Sequence, residues 1–114
     1  MAYKLEMLGL RTVHVDLPGD DLWCSHPSGE LLRVQVKSSR APYARKDRVT
    51  PVPTYNFKIV RKTPYDGIYV FVVPDLNLMI ARRWDDTPPQ SLKILPRQFT
   101  LAAQNESIRT EFKL

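Results

Sequence analysis

A chain of 114 residues, 43% hydrophobic and 10% aromatic, with 17 basic against 12 acidic residues for a net charge of +5, has the make-up of one globular domain with one core. Its longest apolar run, residues 68–74, is far short of the ~20 residues a membrane span needs. With Lys4 and Glu6 in place of an apolar signal core, a cytoplasmic protein is expected. The single cysteine, Cys24, excludes an internal disulfide and a cysteine-rich zinc site.

Taken in chain order, Ala2–Leu8 predicts a helix of about two turns, with apolar Leu5, Met7 and Leu8 and a stop at Gly9. Leu10–Val15 alternates as a strand, setting Thr12, His14 and Asp16 against Val13, Val15 and Leu17. Pro18-Gly19 is a turn, Asp21–His26 a short strand, and Pro27–Glu30 the connection of a hairpin. Leu31–Lys37 is a strong strand with Leu32, Val34 and Val36 on one side and Leu31, Arg33, Gln35 and Lys37 on the other.

Arg40–Thr54 holds three prolines and little apolar material, which predicts a long exposed loop. From Arg40 to Lys62 there are seven basic residues against one acidic residue, Asp47. That segment is +6, and the remainder, ten basic and eleven acidic residues, is −1. A positive patch so concentrated either grips a polyanion, releasing its condensed counterions, or serves as a solvated loop. Tyr55–Val60, Ile68–Val73, Leu78–Arg82 and Leu92–Leu95 predict further strands. Of these Ile68–Val73, continuously apolar, is expected to be buried on both faces. Gln98–Gln104 and Asn105–Phe112 each predict a helix, the second capped at Asn105. The expected class is α/β: a single domain over residues 1–114, with a mixed sheet flanked by helices.

The hairpin brings charged groups together. Asp20 and Asp21 open one strand, and Gln35 and Lys37 share a face of its partner. A carboxylate, an amide oxygen and an ammonium converging at a sheet end can hold a divalent metal and stabilise phosphoryl transfer. The same residues also suit a plain cross-strand ion pair between Asp21 and Lys37, of the kind worth ~0.2–1 kcal/mol.

Gly19-Asp20-Asp21-Leu22-Trp23, a hairpin, then Leu32-Arg33-Val34-Gln35-Val36-Lys37-Ser38-Ser39 resembles the PD-(D/E)XK nuclease superfamily, in its glutamine-bearing form found among small endonuclease-like and Holliday-junction-resolvase-like members. The resemblance implies the αβββαβ restriction-endonuclease-like core with a short first helix. It makes Asp21, Gln35 and Lys37 the catalytic residues and Asp21, Gln35 and the Val36 carbonyl the ligands of a weakly bound Mg²⁺ or Mn²⁺. Gln35 stands where a carboxylate is commoner. The family's helix glutamate would fall before Met1, so the first helix is expected to lack its N-terminal part.

The expected function is metal-dependent endonucleolytic hydrolysis of DNA, with RNA not excluded, by a cytoplasmic homodimer whose two sites cut both strands. Ser38, Ser39, Arg40, Tyr43, Arg45, Lys46, Arg48, Lys58, Arg61 and Lys62 are the candidate nucleic-acid contacts. Two alternatives stay open: a nucleic-acid-binding module without catalysis, and a protein-interaction domain whose basic loop meets an acidic partner. His14 and His26 share no metal-ligand spacing, Cys24 is expected to be a small buried hydrophobe, and Arg82, Arg83 and Trp84 either extend the positive surface or cover the core edge. Gln98 could reach the site from the start of a C-terminal helix.

Overall fold

Ile68–Val73 consists entirely of β-branched and aromatic residues, and it forms an interior strand of a five-stranded mixed sheet. The computed structural model describes residues 2–7, 9–17, 20–44, 52–59 and 65–114, with side-chain surroundings for all of these except 2, 3, 7, 14–17, 20 and 21. The elements are α1 (Ala2–Met7), β1 (Arg11–Leu17), β2 (Asp20–Ser25), β3 (Leu31–Ser38), β4 (Tyr55–Lys58), β5 (Ile68–Val73), β6 (Leu78–Arg82), β7 (Ser91–Ile94) and α2 (Leu101–Glu111). The large sheet has the order β1-β2-β3-β5-β6, and β4 and β7 form a second, two-stranded sheet. All pairings are antiparallel except β3–β5. That parallel pair needs a long crossover, and the chain between Ser38 and Ile68 supplies it. The class is α/β, as expected.

Strand alternation divides the core in two. On one face Leu22, Cys24, Val34 and Val70 pack with Leu5 of α1 and Ile108 and Phe112 of α2. On the other, Tyr69, Phe71, Val73 and Ile80 meet Tyr55 and Phe57 of β4, Ile94 of β7 and Phe99. Edge-to-face ring pairs tie this second core together: Phe57 with Phe71 at 5.0 Å and Tyr55 with Phe99 at 5.4 Å between centroids. Both helices therefore lie against one face, and the second sheet takes the other. Tyr55, which opens β4, belongs to this core.

The C-terminal region is one helix, not two. Thr100 is the N-cap, its hydroxyl accepting from the Ala103 N–H at 3.0 Å, and Asn105 lies inside the helix. Gln98 sits in a 3-10 turn, Pro96–Gln98, and its side chain accepts from the Leu95 N–H at 2.9 Å. It closes a cap and does not reach toward the hairpin.

Helix α2 also seals the edge of the sheet. The Met79 N–H donates to Gln104 Oε1 and the Ala81 N–H to Ser107 Oγ, each at 3.0 Å. Residues three apart on a helix meet N–H groups two apart on a strand, so β6 offers those donors to no other chain. At the opposite edge the register Thr12↔Cys24 sets Thr12 toward α1, where its hydroxyl donates to Glu6 Oε1 at 2.8 Å. Val13 consequently faces away and is 60% exposed.

Cys24 is fully buried, and its thiol is pushed up to about 12, first by burial and then by Glu6. Because the thiol of the unfolded chain ionises near 8.5, the folded state holds its proton longer and stability falls as pH rises from about 8.5 through about 12. Cys24→Ala is expected to flatten that alkaline limb in urea titrations. The native thiol should react with a disulfide reagent at pH 8 only on opening of the fold; prompt reaction would contradict its burial.

Candidate functional site

The hairpin that carries the candidate residues is set by its turn. The Gly29 N–H donates to the His26 carbonyl at 2.8 Å and the His26 N–H to the Glu30 carbonyl at 2.9 Å, with Gly29 at φ +93°, where a side chain would be strained. His26 is itself part of the brace. Its Nδ1 accepts from the Ser28 N–H at 3.0 Å, which leaves Nε2 as the donor to the Lys113 carbonyl at 2.8 Å. The imidazole thus pins the hairpin to the chain end following α2.

From that turn the register runs Ser25↔Leu31, Cys24↔Leu32, Trp23↔Arg33 and Leu22↔Val34. The paired register ends at Leu22↔Val34; Asp21 adjoins Leu22 along β2, and Gln35 follows Val34 along β3. Alternation assigns Gln35 to the face of Arg33, away from the helices, and Lys37 follows two residues later on the same face. Gln35 and Lys37 are both half-buried, in register with Tyr69 and Phe71 of β5. The surroundings of the Asp21 carboxylate lie outside the described residues. Lys37–Ser39 stand at the carboxyl end of parallel strands β3 and β5, where ligands bind in open α/β sheets.

Arg33 shares this face but is committed elsewhere. Its guanidinium pairs with Asp66 at 2.5 Å and lies 5.3 Å from the centre of the Tyr65 ring. Of the proposed nucleic-acid contacts, Ser38 and Arg40 are exposed and Tyr43 is 59% exposed. Ser39 is half-buried, and its N–H donates to the Val72 carbonyl at 3.1 Å, prolonging the β3–β5 ladder. Tyr43 and Thr54 exchange backbone hydrogen bonds of 2.8 and 3.0 Å, which pinch the neck of the basic loop. The expected structureless stretch is therefore closed at its base. Lys58 is exposed on the outer face of the second sheet, opposite Tyr55 and Phe57. Arg45, Lys46, Arg48, Arg61 and Lys62 lie outside the described residues.

Among the described residues no group of three or more His, Cys, Asp or Glu side chains is placed to hold a metal. The donors of the proposed site are nonetheless all oxygens (the Asp21 carboxylate, the Gln35 amide and the Val36 carbonyl), and hard divalent cations accept such a set while keeping waters. No helix among these residues is long and apolar enough to cross a membrane.

One cleft lies away from the hairpin, and another meets it at residues 30–33. One of about 580 Å³ runs between α2, β6 and the 3-10 turn, lined by Arg82, Arg97, Glu106 and Glu111 among others. Burial pushes the Glu111 carboxyl up, while Arg82 and Arg83 pull it the other way. Two smaller ones, of about 260 and 290 Å³, flank Asp66 and Arg83 at the start of β5, and Tyr65 and Trp84 line the second of these. No pattern in the sequence marked these clefts, because their walls come from segments far apart in the chain.

No protein-family model, curated protein or solved structure matches this chain.

Proposed function

We propose that this domain binds DNA and hydrolyses phosphodiester bonds with Mg²⁺ or Mn²⁺, as a PD-(D/E)XK-like nuclease with a restriction-endonuclease-like core. The observation that carries the reading is the β2–β3 register, whose last pair, Leu22↔Val34, is flanked by Asp21 on β2 and by Gln35 on β3, with Lys37 two residues beyond Gln35 on the same face of β3. An antiparallel β1–β2–β3 unit joined in parallel to β5 suits that core. In this reading Asp21, Gln35 and the Val36 carbonyl hold the cation, which supplies Lewis acidity at the phosphoryl oxygens. Lys37 places its ammonium where negative charge grows on the phosphoryl group and orients the attacking water. Arg40, Tyr43 and the basic segment grip the backbone, and a two-fold dimer presents one site to each strand.

Nicking of supercoiled plasmid in Mn²⁺, with calorimetric titration of the metal, tests this. Measurable cleavage that chelator removes supports it. Gln35→Glu, which adds a negative ligand, is expected to tighten metal binding about tenfold. A titration unchanged by that substitution would remove Gln35 from the site. The neutral amide and the absence of an acidic cluster among the described residues favour one other reading, a binding module on the same fold without hydrolysis. Salt-sensitive DNA binding with no metal uptake at millimolar concentration selects it.

A further inference from the structure

Among the described residues, the core that the second sheet shares with the outer face of the large sheet takes its side chains from β5 and β6, Tyr69, Phe71 and Ile80 among them. Over β1–β3 the same face presents apolar side chains to solvent among the described residues. Val13 is 60% and Leu31 57% exposed, and half-buried Trp23 lies between them in the rows Val13↔Trp23↔Arg33 and Arg11↔Ser25↔Leu31. From strand and row spacings the patch measures roughly 10 by 7 Å. Basic groups bracket it: exposed Arg11 at one end and half-buried Lys37 at the other.

Resting on the reading that this chain binds nucleic acid, we propose that the β1–β3 part of that face, with its exposed Val13 and Leu31, is a platform for unpaired nucleotides, with bases on Val13, Trp23 and Leu31 and phosphates on Arg11 and Lys37. The choice of occupant follows from charge and polarity together. A polyanion matches the basic bracket, but paired DNA keeps its bases stacked inside and would leave the apolar row against water. Unpaired bases expose their faces and fill both requirements, because stacking on an aromatic ring is indifferent to base identity. The platform adjoins Gln35 on β3, so unpaired nucleotides would sit beside the bond to be cut.

Fluorescence anisotropy with a labelled fifteen-residue oligothymidylate and with a fully paired duplex of equal length tests the proposal. The wild-type protein is expected to bind the single strand at least about tenfold more tightly than the duplex. V13T/L31T keeps strand-forming residues and charge while removing apolar surface, and is expected to erase that preference and leave duplex affinity within about threefold. Trp23→Phe should preserve it. Equal or tighter duplex binding by the wild type overturns the platform and leaves DNA binding intact; so does a preference that survives V13T/L31T. Binding of neither oligonucleotide overturns both readings. Sedimentation velocity covers the remaining occupant: a dimer that V13T/L31T dissociates, with oligonucleotide affinity unchanged, makes this face a contact between two copies of the chain and overturns the proposal.

Discussion

Lys37→Ala is expected to lower metal-dependent nicking by about 10²–10³-fold, the usual consequence of removing one group that stabilises charge in the transition state. The residue stands at the carboxyl end of β3, half-buried and in register with Phe71. Partial burial keeps water from fully screening its ammonium, and the strand fixes its distance from Gln35. Binding should change far less, within about threefold, because one cation among many contacts carries a small share of a polyelectrolyte interaction. Lys37→Arg keeps the charge but spreads it over a planar fork, so it should restore affinity without restoring rate. A Lys37→Ala protein that nicks plasmid at the wild-type rate removes the catalytic assignment. Loss of binding in parallel with loss of rate would make the residue a phosphate contact only.

Gln104→Met is expected to cost about 2 kcal/mol in urea unfolding, or a fall of roughly 8 °C in Tm for a domain of this size. The substitution keeps the length of the side chain and removes its acceptor. Gln104 is 4% exposed, and its Oε1 accepts from the Met79 N–H at 3.0 Å and from Lys4 Nζ at 3.3 Å. Without it a buried backbone donor has no partner, and such a donor pays its full desolvation penalty. Lys4 also donates to the Asn77 carbonyl, and burial lowers its pKa, so the amide joins α1, α2 and β6 at one point. Ser107→Ala, which frees only the part-buried Ala81 N–H, should cost about half as much. If Gln104→Met unfolds within 0.5 kcal/mol of the wild type, water or a shifted helix satisfies the β6 edge instead.

Much of the sheet was legible because alternation has a physical cause visible in one dimension. In Leu31–Lys37 and Tyr55–Lys58 every second residue is apolar, and those residues are the buried ones: Leu32 and Val34 in one core, Tyr55 and Phe57 in the other. Ile68–Val73 reads as buried on both faces and is. The sequence divides the C-terminal region at Asn105, a good cap by residue type, where one helix capped at Thr100 runs through. Only the 3-10 turn at Pro96–Gln98 selects Thr100. Cys24 as a small buried hydrophobe was likewise readable from its strand.

For the candidate site, the residue types, the shared face of Gln35 and Lys37 and the confinement of positive charge to one segment are readable from the chain alone, since strand periodicity and composition are local properties. Being two residues apart on one strand, Gln35 and Lys37 cannot separate. The fold settles the rest: that Gln35 follows the Leu22↔Val34 pair beside Asp21, that Arg33 is held by Asp66 and Tyr65, and that the core under the second sheet takes its side chains from β5 and β6 while Val13 and Leu31 are exposed. Those outcomes depend on hairpin register and on pairings across thirty or more residues. No local pattern encodes either, because register is settled by which whole set of apolar side chains a pairing buries.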